Sequence, residues 1–386
     1  MRRRADPALR RILVAHPSAE LYGSDRVMLE TVQGLVEDGW QVLVALPGSG
    51  PLVAEVLDRG ARVVSCPSPV LRKSALRPRG FVRLLAATAR GVGAGIWLLR
   101  RTRPDVVYVS TLTLPLWILL AKLSGRRALC HVHEAEGSAS LPLRRLLALP
   151  LFAAHTIIAN SEFSKRVLGS AFDALGTRTT VIYNGVPGPP SFTAARNRIN
   201  GPVRLLYVGR LSERKGVDVA VSAVAELADR GTSVELDVVG AIFPGYEWYE
   251  KQLVAQVERL GLGKQVRLRG FETPIWPRLA AADIALVPSR LDEPFGNTAV
   301  EAILAGRPLI TSDTSGLREA TVGFAAVVQV QPDNPGAIAD AVESILARWQ
   351  DYRLLAAADS REATRRYAPA SYRAQIVSSL ARMNRC

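Results

Sequence analysis

Short apolar runs alternate along this chain with longer stretches in which apolar residues recur every three or four positions. In the first half the runs fall at residues 11–15 (RILVA), 41–46 (QVLVAL), 63–64, 106–110 (VVYVS), 128–132 and 156–159. The second half restarts the alternation at 203–208 (VRLLYV), 234–239 (VELDVV), 266–269, 284–288 (IALVP) and 308–311. Runs this short and this apolar predict buried parallel strands, and the stretches between them predict helices, so the pattern describes doubly wound α/β domains. Residues 186–202, VPGPPSFTAARNRINGP, break both periods with Pro, Gly and polar residues and read as a linker between two domains, 1–190 and 191–365. A last helical pattern covers 367–383, and its own periodicity does not say on which domain it packs.

Composition narrows this little. At 386 residues, 48% hydrophobic and 22% charged, the chain has enough material for two full cores and no mark of disorder. Its three cysteines, Cys66, Cys130 and Cys386, are too few and too scattered for a disulfide framework or a metal cluster, which favours a reducing cytoplasm. The basic start MRRRADPALRR precedes an apolar run too short for a signal peptide. The charge-free stretches 106–121 and 146–161 contain proline and polar residues and fall short of a spanning helix.

Charge changes the picture more. Residues 1–200 hold 27 Lys+Arg against 13 Asp+Glu, and 201–386 hold 22 against 22, so the whole excess of +14 lies in the first half. Residues 71–103 alone carry nine basic side chains and no acidic one, interleaved with Phe81, Leu84, Leu85, Ile96, Trp97, Leu98 and Leu99. Such a segment suits peripheral attachment to an anionic membrane, although apolar residues at helical spacing also serve simply as core. Few aromatics, 6%, and the lack of a nucleic-acid module argue against a nucleic-acid-binding protein.

The candidate chemistry gathers where strands end and helices begin. In RLDEPFGNTAVEAILAGRPLITSD, residues 290–313, the pattern places Glu293 in a strand-to-helix loop and Glu301 in the first turn of a helix over 298–305. That helix start suits a phosphate, and a carboxylate beside it is better placed to accept hydrogen bonds from hydroxyls. Taken singly, Glu301 could equally stabilise the helix start, and Glu293 could be a solvated loop charge. In YVGRLSERKG, residues 207–216, Gly209 allows a tight turn, while Arg210 and Lys215 share one loop and could neutralise a diphosphate. Glu213 and Arg214 read there as solvated charges. VVGAIFPGY, 238–246, lacks a dinucleotide fingerprint, and GVGAG at 91–95 follows a helical pattern, so it reads as a kink or packing site. Near the start, AELYGSDRVMLE is expected to begin a helix around Asp25, letting Gly23 and Ser24 approach a ligand. HVHEAEG puts His133 and Glu134 in a loop at a strand's carboxyl end, with His131 as a competitor. No Asp-x-Asp pair and no Cys/His spacing suggests a catalytic metal.

Together, YGSDR, HVHE, ANSEFSKRVL, VIYNGV, YVGRLSERKG, ALVPSRLDEPFGNTAVEAILAGRPLI and TSDTSGLREA resemble, in order, glycosyltransferase family 4 with its Glu-x7-Glu motif. The sequence departs from that pattern at Tyr22, Pro187 and Ala241. The resemblance implies a GT-B fold, two Rossmann-like doubly wound domains facing across a cleft, with residues 366–386 crossing back to the first domain. It implies a retaining, metal-independent transferase without a cofactor, moving a sugar from a nucleotide-diphosphate sugar to a hydroxyl of a glycan or lipid-linked acceptor in cell-surface glycan or glycolipid synthesis. Glu293 would then hold donor-sugar hydroxyls, Glu301 the ribose, and Arg210 with Lys215 the diphosphate. Phe295, Gly296, Asn297 and Thr298 would line the donor, Gly23 and Gly209 would approach it, and backbone near Gly270 and Phe271 would read the base. His133 would face the sugar from the first domain. A GT-B nucleotide-sugar epimerase remains an alternative within the same architecture, and a catalytically dead sugar-nucleotide sensor is disfavoured by the intact Glu293/Glu301 and Arg210/Lys215 pairs.

Overall fold

A computed structural model describes residues 10–71, 78–135, 137, 139–243 and 245–383, with backbone alone for 78–83. The chain forms two units, one of Met1–Gly185 with Pro369–Cys386 and one of Val186–Ala368. Both are parallel sheets covered by helices.

The first unit runs β1 (Arg11–Ala15), α1 (Gly23–Glu37), β2 (Gln41–Leu46), α2 (Leu52–Asp58), β3 (Arg62–Ser65), α3 (Pro78–Thr102), β4 (Val106–Val109), α4 (Pro115–Leu123), β5 (Arg127–Val132), α5 (Leu141–Ala148), a 3-10 turn (Leu149–Ala153), β6 (Thr156–Ala159), α6 (Glu162–Ala171), α7 (Asp173–Arg178) and β7 (Thr179–Val181). Its sheet has the order β3-β2-β1-β4-β5-β6-β7, all parallel. The central strands are largely apolar because both faces are covered, Arg11 and Arg127 standing at strand starts and the buried His131 being hydrogen-bonded to Tyr108. Ile12 and Val14 enter the core beneath α1, while Leu13 and Ala15 enter the core beneath α4.

The second unit runs β8 (Val203–Val208), α8 (Val217–Asp229), β9 (Val234–Val239), α9 (Glu247–Arg259), β10 (Val266–Gly270), α10 (Trp276–Ala281), β11 (Ile284–Val287), α11 (Asn297–Leu304), β12 (Leu309–Ser312), α12 (Ser315–Thr321), β13 (Val327–Val330), α13 (Pro335–Ala347) and α14 (Trp349–Arg366). Its sheet order is β10-β9-β8-β11-β12-β13, so the winding direction reverses between β8 and β11. The last helix, α15 (Pro369–Met383), returns to the first unit, where Tyr372, Ile376, Leu380 and Met383 enter the core beneath α1.

Several sequence expectations need correction. The strands β7 and β13 were not expected: β7 has three residues, two of them threonine, whereas β13, VVQV, follows Ala325 and Ala326 in an apolar run that sequence reading passed over at the sheet's outer edge. Helix α1 begins at Gly23, ahead of Asp25. Helix α11 begins at Asn297, which puts Glu301 past the first turn, where no acidic residue lies. Tyr367 caps α14 and is not part of the last helix. The units divide after Gly185 and after Ala368, and the second half of the 186–202 segment is bound into the second unit: Ala195 is core, Arg196 pairs with the buried Asp283, and the buried Arg307 donates to the Thr193 carbonyl. The glycines of GVGAG lie inside α3, where Gly91 packs against Pro69 and Leu116, and Gly95 against Leu120. Of the basic run at 71–103, residues 72–77 lie outside the described ones, as do the side chains of Arg79 and Arg83.

Candidate functional site

Where winding reverses, the loops after two adjacent strands separate to opposite faces and leave a crevice at their carboxyl ends. In the second unit those loops are 209–216 after β8 and 288–296 after β11. Their approach is close: a Cβ at Gly216 would stand 1.9 Å from the Pro288 carbonyl oxygen, and this residue has φ 65°, so both space and backbone require glycine.

Across that contact Lys215 and Glu293 meet. The Lys215 Nζ lies 2.7 Å from Glu293 Oε1, which also accepts a hydrogen bond from Ser289 Oγ at 2.9 Å. The other oxygen, Oε2, faces the Arg214 guanidinium at 3.4 Å, and Arg214 donates at the same time to the Asp292 carbonyl at 3.1 Å. Glu293 is only 4% exposed. Burial alone would raise its carboxyl, but Lys215 and Arg214, with the hydrogen bonds from Lys215 and Ser289, bring it below the ordinary value. Arg214, although exposed, is therefore more than the solvated charge its sequence context suggests, since it is paired with Glu293 and the Asp292 carbonyl. No feature of SERKG separates it from its neighbours; the signal is the pairing of two loops distant in sequence.

A second tie lies beneath. Arg290 donates to both oxygens of Asp218, at 2.7 and 2.5 Å, and to Asp333 at 2.7 Å. Its backbone N–H reaches the Arg214 carbonyl at 2.9 Å. Desolvation works to raise Asp218, and the hydrogen bonds from Arg290 and Tyr249 outweigh it, leaving the carboxyl lowered. Sequence reading missed Arg290, Asp218 and Ser289.

Helix α11 starts beside this cluster, with Gly296 as its cap in the left-handed region and Asn297 and Thr298 as its first residues, both half-buried. Glu301 is buried on the same helix. The ring of Phe295 is 1% exposed and meets Tyr367 edge-on at 5.6 Å, so that side chain belongs to the core and only its backbone remains for the loop. Helix α12 closes in from the side. A Cβ at Gly316 would fall 1.8 Å from the Glu293 carbonyl oxygen, and Asp292 accepts from the Ser315 N–H at 3.1 Å.

Arg210, exposed, holds its guanidinium 5.3 Å over the Phe243 ring in the loop after β9, while its carbonyl accepts from the buried Tyr207 hydroxyl at 2.8 Å. Burial, then the neighbouring Tyr249 and Glu293, raise the Tyr207 hydroxyl well above its ordinary value, against a smaller opposing pull from Arg210 and Arg214. Gly209 donates to Val239, and Gly240 donates to Gly270 at 2.8 Å, stepping from β8 to β10. Phe271, next in line, is exposed.

The remaining sequence candidates, Gly23 and His133, lie in the first unit. There the winding reverses between β1 and β4. His16, at the end of β1, bridges that point: Nδ1 is 2.6 Å from Ser110 Oγ and Nε2 is 2.6 Å from Asp25 Oδ1. Asp25 also accepts from Ser18 Oγ and from the Tyr22 N–H, and so fixes the turn leading into Gly23. His133 follows β5; burial, then the charge of His16, hold its ring down to about 3, against a smaller opposing pull from Asp25, so it is neutral at physiological pH. Its competitor His131 is fully buried in the strand, 2.6 Å by Nδ1 from the Tyr108 hydroxyl. Among the described residues no group of three His, Cys, Asp or Glu could hold a metal ion.

Two family models match. Glycosyltransferase Family 4 covers residues 22–187, and Glycosyl transferases group 1 covers 192–368. Glycogen synthase of Mycobacterium tuberculosis is 36% identical over 169 residues, 43% of this chain and 39% of that protein. D-inositol 3-phosphate glycosyltransferase of Geodermatophilus obscurus is 34% identical over 226 residues, 54% and 49% of the two chains. The chain thus spans half or less of the length of these curated relatives. The crystal structure of Anabaena Alr3699/HepE in complex with UDP-glucose superposes with a TM-score of 0.81 over 96% of this chain and 99% of that one, at 22% identity. With both halves matched in order and two doubly wound sheets of that architecture, the chain belongs to glycosyltransferase family 4 and has the GT-B fold.

Proposed function

We propose that this chain transfers a sugar from a nucleoside-diphosphate sugar to a hydroxyl acceptor, a glycan or a lipid-linked glycan, with retention at the anomeric carbon and without a metal. The observation that carries the reading is the buried Glu293 carboxylate held by Lys215 at the reversal point beside the start of α11. A helix N-terminus and the cations Lys215 and Arg210 suit a diphosphate, and the carboxylates Glu293 and Glu301 suit hydroxyls. Lys215 spends one N–H on Glu293 and keeps others for a phosphate oxygen. In the step, the bond from the anomeric carbon to the phosphate oxygen breaks and the acceptor oxygen takes its place on the same face. The acceptor's proton passes to the departing diphosphate, whose growing charge the cations stabilise. That a protein of this fold holds UDP-glucose makes uridine the first base to try. A cytoplasmic location belongs to the same proposal and rests on the scarcity of cysteine, Cys66 and Cys130 being buried free thiols.

Diphosphate release from a panel of uridine, guanosine and adenosine diphosphate sugars, with acceptor and excess chelator, tests this. One donor should turn over, and Glu293→Gln or Glu301→Gln should each cost on the order of 10²-fold. Folded Gln variants with unchanged kinetics would reject the site. Turnover of the sugar nucleotide without acceptor would favour the epimerase, and activity abolished by chelator and restored by magnesium or manganese would refute metal independence.

A further inference from the structure

Helices α3, α4 and α5 and the 3-10 turn after α5 lie over one face of the first unit's sheet, and they bury an apolar set that includes Leu98, Leu99, Trp117, Ile118, Leu120, Ala148 and Leu151. Their outer side is also apolar. Among the described residues, every large apolar side chain that the first unit leaves exposed, except Leu57, belongs to these elements. Leu85, Ile96 and Trp97 stand out from α3, Leu119 and Leu123 from α4, and Leu141, Leu146, Leu149 and Phe152 from α5 and the turn. Exposure reaches 58% at Trp97, 63% at Leu146 and 84% at Leu123. A monomer in water has no use for so many apolar side chains gathered in one layer.

The charge these elements carry has one sign. None of these four elements contains an aspartate or glutamate. Arg90, Arg100, Arg101 and Lys122 rise from the same helices, and among the described residues no carboxylate pairs with them. Arg101 lies 5.4 Å over the Trp97 ring, which sets a cation and an amphipathic aromatic side by side. Helices of this kind settle in the headgroup region of a bilayer, with apolar residues entering the acyl boundary and basic ones meeting anionic phosphates. A second copy of the same face would bring arginine against arginine, which like-charge repulsion opposes. Nucleic acid would use the cations but leave the leucines of α4 and α5 in water. Among the described residues no helix is long and apolar enough to cross a membrane.

We infer that the outer face of α3, α4, α5 and the following turn docks on an anionic lipid surface, holding the first unit at a membrane where a lipid-linked acceptor would be within reach. The inference stands on exposure and charge and does not require the proposed reaction.

Vesicle co-sedimentation of the full chain decides it, with phosphatidylcholine alone compared with phosphatidylcholine containing about 30% phosphatidylglycerol, at salt from about 0.1 to about 1 M. Binding should need the anionic lipid and fall with salt. The triple variant Arg90→Gln, Arg100→Gln, Arg101→Gln should bind about a hundredfold more weakly. Leu123→Ser with Leu146→Ser should lose about tenfold or more while keeping the wild-type melting temperature, since both side chains are already in water. No binding, equal binding to both vesicles, wild-type binding by both variants, salt-sensitive binding to RNA that competes with vesicles, or a dimer abolished by the leucine substitutions would each overturn the assignment. Sugar transfer in solution is read separately, so loss of either result leaves the other interpretable.

Discussion

Arg214 and Lys215 are neighbours in sequence and act on one carboxylate from two sides. Lys215 meets Glu293 Oε1 directly, whereas Arg214 holds Oε2 and the Asp292 carbonyl together and so aims the carboxylate as well as charging it. Because the folded Glu293 sits below its ordinary value, its contribution to stability is fully present above the unfolded value and is lost as pH falls through the folded one. Removing Arg214 lessens the depression, so both that loss and the acid limb of kcat/KM should move to higher pH in Arg214→Met. Arg214 is 42% exposed on its side chain, so solvent screens the pair, and about 1 kcal/mol, or about fivefold in kcat/KM near neutral pH, is the effect to expect. Arg214→Lys should restore part of it. The comparison is Arg230→Gln, which breaks pairs with Asp340 and Glu343 elsewhere on the unit and should leave the acid limb in place. A pH profile of Arg214→Met that superposes on wild type would reduce Arg214 to a loop tie.

Among elements, the strands were the legible part. RILVA, QVLVAL, TIIA, VRLLYV and VELDVV announce themselves because a parallel strand covered on both faces is mostly apolar, even with Arg11, Gln41, Arg204, Glu235 and Asp237 interrupting the runs. What stayed hidden depends on partners: β7 and β13 are short outer strands, α11 starts where Gly296 turns rather than where apolar spacing begins, the Arg214 tie joins two loops far apart in sequence, and the Arg290 tie joins a loop to the first turn of α8. Glycines show the same limit, since sequence marks them all alike. Gly34 of α1 lies under α15, where an added Cβ would stand 2.7 Å from the Arg373 Cβ and 3.2 Å from its Cα. Gly93 of α3 has nothing within 4 Å. Helix propensity favours alanine at both by about 1 kcal/mol, but overpacking at Gly34 costs about 1–3 kcal/mol. Opposite signs should result: Gly93→Ala should raise the first unit's melting temperature by about 2–4 °C, and Gly34→Ala should lower it or leave it level. A clear rise for Gly34→Ala, read by calorimetry, would show that α15 yields easily.

On the scale of the molecule, the two units differ in how the chain closes them. The second is continuous, Val186–Ala368, whereas the first is made of two distant segments, the later of which carries α15. Thr31 Oγ1 and the Tyr372 hydroxyl meet at 2.6 Å, and Arg373 pairs with Glu30 at 2.7 Å and Glu37 at 3.2 Å. Beneath these, Tyr372, Ile376, Leu380 and Met383 are buried in the core they share with α1. At about 1.5–3 kcal/mol for each buried side chain, the apolar part alone is about 6–12 kcal/mol as an upper estimate, comparable with the about 5–15 kcal/mol that holds a whole domain. The polar contacts add little by comparison. Residues 186–368 expressed alone should therefore melt in one cooperative transition and be stabilised by the nucleoside diphosphate that the full chain prefers. Residues 1–185 alone should lack such a transition and expose apolar surface to a hydrophobic dye, and the last 18 residues, 369–386, fused through a flexible linker should restore it. Cooperative, dye-silent unfolding of 1–185 without α15 would show that the helix decorates a core that is complete without it.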